Sequence, residues 1–303
     1  MLVCLLPRLA MAAALQVFCW EVTPQSQAVL AGLERVLQQS LPVSSAEGDP
    51  AQAVLLSRQM AQECLSVLIV LGTPALMAVA PRPKRIPIVF AMVADPFQTG
   101  AAYDAARPED HQEYITGLAS PPPIREAIHQ AQILFPSRKN WGMIYNPLEG
   151  ASVELAQLTA RLARQAGLTF ILQAASTAAA AASALHELPQ QGVQVVFLPP
   201  DRFSETYAAT LLDLGQKRRV LVINGNPRLS PQGAVLSVTL DYQAVGEEAG
   251  RLVQQLLTGA KPKTIPIRQF SPARVKVDEA LLQRWAEYPP AKRPEEKGKK
   301  QLH

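Results

Sequence analysis

At 303 residues, with 48% hydrophobic and only 6% aromatic residues, the chain has the length for two lobes of ordinary domain size and the composition of an α/β protein rather than an all-β one. Its formal charge of +4 is concentrated at one end: Lys292, Arg293, Lys297, Lys299 and Lys300 outnumber Glu295 and Glu296 within Pro289–His303, and the remainder is close to neutral. That distribution excludes a basic face that tracks a nucleic-acid backbone, and it marks the tail as a solvated end.

Met1 to Ala14 (MLVCLLPRLAMAAA) is a short apolar stretch ending in small residues. It has the pattern of a secretory h-region and cleavage site, without a basic start and interrupted by Arg8; a start codon placed too late is one explanation, and a plain apolar N-terminus is the alternative. The expectation is an exported protein whose mature form is soluble. Of the cysteines, Cys4 leaves with this segment. Cys19 and Cys64 fall at opposite edges of a parallel sheet, so both are expected as unpaired thiols.

From there, strands and helices alternate, the order that builds parallel sheets. Leu15–Trp20 reads as a strand and Pro24–Gln38 as a helix with Val29, Leu33, Val36 and Leu37 on one face. Leu41–Ser44, Ser66–Leu71, Ile86–Val93 and Tyr114–Ala119 read as further strands, with helices opening at Asp49-Pro50 and Thr73-Pro74. The pattern restarts with helix Pro123–Leu134, strand Trp141–Tyr145 and helix Ser152–Ala166, closed by Gly167. Strand Thr169–Leu172, helix Ala179–Leu188, strand Val193–Leu198, helix Phe203–Leu214 and strand Val220–Ile223 complete a second half. Then come strand Gly233–Leu240, a helix from Asp241 to Leu257 closed by Gly259, strands Ile265–Phe270 and Ala273–Val277, and a short helix Ala280–Trp285. Returning this last segment to the first half makes several crossings between lobes, which is the construction of a hinge.

Five apolar runs end in a small polar residue followed by proline: Thr23-Pro24, Thr73-Pro74, Asp95-Pro96, Asn146-Pro147 and Asn226-Pro227. Such a pair suits a helix start, with the side chain capping free N–H groups and proline in the first turn. It also marks the carboxyl end of a strand, the edge where open α/β sheets bind ligands.

The pieces LSVLIVLGTPALMAVA (66–80), IPIVFAMVADP (86–96), YITGLAS (114–120), WGMIYNP (141–147), LPPD (198–201) and GAVLSVTLDYQAVGEEAGRLVQQLLTGAKP (233–262) resemble, in order, those of the ABC-transporter substrate-binding family that includes tryptophan- and tyrosine-binding members. The likeness covers roughly residues 15–288. It implies the type-I periplasmic-binding fold: two Rossmann-like lobes with helix-flanked parallel sheets, joined by a multi-crossing hinge and holding a small ligand in a cleft. The lobes would be residues 15–119 with 239–266, and 120–238 with 267–288. The chain departs from the family where a Glu-His-Pro-Ala-Leu-Asp-like stretch is usual, reading Val22-Thr23-Pro24-Gln25-Ser26-Gln27 instead. It departs again at Arg107-Pro108-Glu109-Asp110, where an Arg-Pro-Gly-Gly turn is common.

On these strand ends, Thr73, Pro74 and Ala75 form a helix N-terminus suited to a ligand carboxylate, or an ordinary cap. Asp95 either accepts from a ligand ammonium or caps the turn after it. Asn146, Asp201 and Asn224 are the equivalent candidates in the second half, each with capping as the alternative, and Asp241 is a helix cap before it is a ligand contact. Trp20 and Tyr145 are placed to stack on a ligand or to fill core. The histidines His111, His129, His186 and His303 share no metal-ligand spacing, and no nucleophile elbow, P-loop or dinucleotide-binding glycine motif occurs. The expectation is therefore a binder without cofactor, metal or catalytic group: a monomeric periplasmic solute-binding protein delivering an amino acid, or a similar carboxylate-bearing metabolite, to an inner-membrane ABC permease. A periplasmic ligand-sensing protein is the alternative, and an α/β metabolic enzyme is a third reading.

Overall fold

The computed structural model describes residues 13–81, 86–104, 106–218, 220–229 and 233–286. Residues 1–12 of the expected leader and the whole basic tail lie outside the described residues. The chain divides into two compact units, one running to Pro121 with Asp241–Pro272, the other comprising Pro122–Leu240 and the chain from Ala273.

The first unit begins β1 (Leu15–Cys19), α1 (Pro24–Leu37), β2 (Val43–Ser45), α2 (Pro50–Met60), β3 (Val67–Leu71), α3 (Thr73–Val79), β4 (Ile88–Val93) and β5 (Ile115–Ala119). β3 and β5 are buried throughout, as strands covered by helices on both faces must be. The second unit follows with α4 (Ile124–Leu134), β6 (Asn140–Tyr145), α5 (Gly150–Gln165), β7 (Thr169–Ala174), α6 (Ala178–Gln190), β8 (Val195–Leu198), α7 (Arg202–Arg218), β9 (Leu221–Asn224) and β10 (Leu236–Leu240). The chain then gives α8 (Tyr242–Leu257) and β11 (Arg268–Gln269) to the first unit, and β12 (Ala273–Val277) and α9 (Glu279–Ala286) to the second.

The sheet of the first unit has the order β11-β5-β4-β3-β1-β2 and that of the second β12-β10-β9-β8-β6-β7. All pairs are parallel except β10 with β12. Both sheets therefore repeat the doubly wound 2-1-3-4-5 order, each extended by a strand from the returning chain. That order puts a topological switch point between β1 and β3 in one unit and between β6 and β8 in the other, and ligands of such sheets bind outside the carboxyl ends there.

Helix α8 returns to the first unit because its apolar face (Val245, Ala249, Leu252, Val253, Leu256) fits α1 (Val29, Leu33). The helices touch backbone to backbone: a Cβ added at Gly246 would run into the Val29 carbonyl, and one at Gly32 into that of Gln243. Full burial of a Val or Leu side chain stabilises by about 1.5–3 kcal/mol, so this seam is a large part of the first unit's core. At its end Gly259, at φ +104, closes α8 as expected: its N–H reaches the Leu256 carbonyl and that of Ala260 reaches Gln255. Residues 262–270, read from the sequence as strand from Ile265, form instead a turn of 3-10 helix (Pro262–Thr264) and the two-residue β11. The Ile265 carbonyl there accepts the Thr116 hydroxyl rather than a ladder N–H.

Candidate ligand-binding site

Of the five polar-then-proline pairs, Thr23 is a cap in the expected sense. It accepts the Ser26 N–H at 3.1 Å while the Ser26 hydroxyl accepts its own at 2.8 Å, a reciprocal box ahead of α1. The others close local turns. Asp95 Oδ1 accepts the Phe97 N–H at 2.9 Å and leads into a single 3-10 turn (Phe97–Thr99) rather than an α-helix. Asn146 Oδ1 accepts the Leu148 N–H at 3.0 Å, and α5 starts only after Glu149. Asn226 Oδ1 accepts the Arg228 N–H at 2.9 Å, a plain turn. A short carboxylate or amide bonding the N–H two residues on is an Asx turn, which proline at the intervening position favours. At the fifth pair the cap is Gly72, at φ +99, and Thr73 is already the first residue of α3.

That displacement matters for the first unit's carboxyl edge. The Thr73 side chain is half-buried and its hydroxyl has no protein hydrogen-bond partner among the described residues. Pro74 is exposed, and the methyl of Ala75 is buried in the core. One strand over, β4 carries a bulge: its register with β5 shifts between Phe90 and Val93, with Met92 in the left-handed region at φ +59. A bulge re-aims the strand end beyond it, here Asp95, whose side chain is half-buried and whose Oδ2 has no protein partner among the described residues. Trp20, after β1, is half-buried and rests on the core formed by Phe18, Leu68 and Val70. Along the sheet the strand ends thus read Trp20, Thr73 and Asp95 on β1, β3 and β4, about 4.8 Å apart per strand.

In the second unit the candidate polar groups bond one another. Asp201 is 6% exposed; its Oδ2 accepts the Ser152 hydroxyl at 2.5 Å and its Oδ1 the Ser204 N–H at 2.8 Å. The Asn226 amide donates to the Pro199 carbonyl at 3.4 Å and the Asp201 carbonyl at 3.3 Å. Asn224 Oδ1 accepts the Asn226 N–H at 2.8 Å, and its amide reaches Ser237 at 3.5 Å. Asn146 donates from its amide to Glu149 at 2.8 Å. Tyr145 is half-buried against a core holding Trp141 and Phe170. Asp241 caps α8 through the Ala244 N–H at 3.2 Å. In the second unit's edge Asn146, Asp201, Asn224 and Asn226 are committed to protein partners, while the Ser204 hydroxyl oxygen is buried without one among the described residues; in the first unit's edge Thr73 and Asp95 Oδ2 have capacity to spare.

Sequence reading missed two residues at that first edge. Ser120 follows β5 and Ser271 follows β11, and neither buried hydroxyl oxygen has a hydrogen-bond partner among the described residues. A lone serine carries no periodic signal, although Ser120 sits within the family-like piece YITGLAS. His129 and His186 are exposed, whereas His111 is 1% exposed, its Nδ1 against the Gln112 carbonyl. Among the described residues no group of His, Cys, Asp and Glu is placed to hold a metal ion, and no helix is long and apolar enough to cross a membrane.

Residues 30–285 match the family described as ABC transporter substrate binding protein. A tyrosine-binding protein of Clostridioides difficile is 20% identical over 238 residues, which cover 78% of this chain and 68% of the relative. A ligand-free, open substrate-binding protein with adhesive properties from Clostridium difficile superimposes with a TM-score of 0.82 at 17% identity, covering 94% of this chain and 97% of that one. The structure of an ABC domain in complex with L-Trp from Streptococcus pneumonia gives a TM-score of 0.66 at 21% identity, covering 90% and 94%. These are solute-binding proteins rather than enzymes, and the two-lobed α/β fold expected from the sequence is theirs. The chain belongs to the ABC transporter substrate-binding protein family.

Proposed function

We propose that the protein captures an α-amino acid with an aromatic side chain, outside the cytoplasm, for an ABC importer. The observation that carries this reading is the uncommitted polar capacity at the first unit's carboxyl edge: the Thr73 hydroxyl and Asp95 Oδ2 sit on adjacent strand ends beside Trp20. Thr73 donates to the ligand carboxylate, Asp95 accepts from its ammonium, and Trp20 offers a ring face to the side chain. The tyrosine- and L-Trp-binding relatives support the ligand class.

The capture step is hinge closure. The chain passes between the units after Pro121, Leu240 and Pro272, and three connections let one unit rotate against the other while keeping each sheet intact. The ligand favours the closed form by as much as it binds that form better than the open one. On this reading Asn146 and Tyr145, at the second unit's switch point, are that unit's candidate ligand contacts. The test is a melting-temperature screen over the amino acids, followed by calorimetry. A ligand at 100 times its Kd stabilises by about 2.7 kcal/mol, and binding of L-tryptophan or L-tyrosine in preference to sugars supports the reading. A screen in which only sugars or inorganic anions stabilise the protein overturns it.

A further inference from the structure

β4 ends in a backbone conformation that its sequence does not favour. Phe90 is level with Gly117 and Val93 with Ala119, so three steps on β4 match two on β5, and the extra residue falls at Ala91–Met92. Met92 takes φ +59, the left-handed region where a side chain crowds its own backbone and where a bulge commonly carries glycine. The other non-glycine residues at positive φ among the described residues, Gln38 and Glu47, are exposed polar residues outside the strands. Met92 is instead a half-buried thioether between Ala91 and Val93, both fully buried. Backbone strain of this kind persists where the surroundings impose it, and it gathers at ligand sites.

The neighbouring strands show what stands beside it. Cys19 is level with Leu71 and Leu71 with Ala91. The Trp20 N–H donates to the Leu71 carbonyl at 3.2 Å and the Gly72 N–H to the Ala91 carbonyl at 3.0 Å, which carries both pairings past the strand ends. The next level of the sheet is therefore Trp20, Gly72 and Met92. Two half-buried apolar side chains flank a residue that has none, and a Cβ added at Gly72 would already reach the Trp20 Cβ at 3.6 Å. Their strands, β1 and β4, lie on either side of β3, two spacings of about 4.8 Å apart. A ring between them needs contacts of about 3.5–4.0 Å on each side, and that separation accommodates both.

We propose that Met92 is a specificity-determining residue that packs its thioether against the aromatic ring of the bound amino acid, opposite Trp20; this deepens, and rests on, the reading above. Methionine suits the task because its polarizable sulfur makes favourable contacts with aromatic rings and its unbranched chain adapts to indole and phenol alike. Glycine would relieve the backbone and leave the ring with one wall.

The test uses parent protein labelled at the methionine methyl groups, with the Met92 signal assigned by its loss in Met92→Leu, titrated with L-tryptophan and L-tyrosine. The ring current of the ligand moves the Met92 methyl resonance upfield at saturation. By calorimetry Met92→Gly binds both amino acids about tenfold or more weakly than the parent, the combined loss of sulfur–ring contact and apolar burial. Without ligand Met92→Gly melts no earlier than the parent, because glycine takes the left-handed region freely. A Met92 signal that stays in place at saturation overturns the inference. So does a Met92→Gly variant that binds like the parent, or one that melts earlier, the mark of a packing residue. Failure of the parent to bind either amino acid overturns the underlying reading instead.

Discussion

Ser152 donates its hydroxyl hydrogen to Asp201 at 2.5 Å while its oxygen accepts the Asn146 N–H at 3.0 Å, so one buried serine joins the ends of β6 and β8. Those strands flank the second unit's switch point. Ser152→Ala leaves a buried carboxylate oxygen and a backbone N–H without their shared partner, and costs about 1–3 kcal/mol or more in urea unfolding. Asp201→Asn, which retains shape and removes the charge, loses less than Asp201→Ala. Equal stability of parent and Ser152→Ala contradicts the network as a structural unit.

Thr23 and Thr73 separate capping from binding. Thr23→Ala removes a reciprocal cap and lowers unfolding free energy by about 1 kcal/mol with little change in ligand affinity. Thr73→Ala does the reverse, because Gly72 is the cap and the Thr73 hydroxyl bonds nothing in the protein among the described residues. Denaturant unfolding and calorimetry on the two variants check this crossed pattern.

The α1–α8 seam tolerates no added carbon. Gly246→Ala sets a methyl against the Val29 carbonyl, a backbone atom that moves only if the helices part. The expected loss is about 1–3 kcal/mol, at the upper end for a clash with main chain. Gly150→Ala, where an added Cβ meets nothing nearby, is the control and stays near the parent in thermal unfolding.

The two thiols differ in reactivity. Burial pushes the Cys19 thiol up, reinforced by the charge of Glu47 and opposed by a hydrogen bond with Ser45, whereas Cys64 is exposed. Near neutral pH a thiol reagent modifies Cys64 well before Cys19, as peptide mass mapping will report. Because the folded-state value is raised, the stability Cys19 contributes is intact below the ordinary thiol range near 8.5 and declines as pH climbs through the raised value. Cys19→Ser flattens that alkaline decline.

Much of the fold was legible because its signals are periodic. The all-apolar β3 segment and the 3.6-residue stripe of α8 each admit one reading, and glycine after α8 closes it in the only backbone region that suits it. The site was legible by position more than by role. Asp95-Pro96 and Asn146-Pro147 look like helix caps in sequence, yet a cap and an Asx turn use the same side-chain oxygen on the same nearby N–H groups, and only the following residues' path separates them. Thr73 reads in sequence as a ligand seat or a cap; it stands after β3 at the carboxyl edge, and the cap is Gly72, whose positive φ a glycine adopts readily. The bulge at Met92 was invisible because it arises from the β4–β5 pairing, across a sequence separation no local pattern spans.

The central claim is that the first unit's carboxyl edge binds an aromatic amino acid through Asp95. Calorimetric titration of L-tryptophan and L-tyrosine into the parent and into Asp95→Asn tests it most directly. Saturable one-to-one binding by the parent, weakened at least about tenfold in Asp95→Asn with an unchanged ligand-free melting temperature, is the predicted result. Binding of equal strength in both proteins, or in neither, contradicts it.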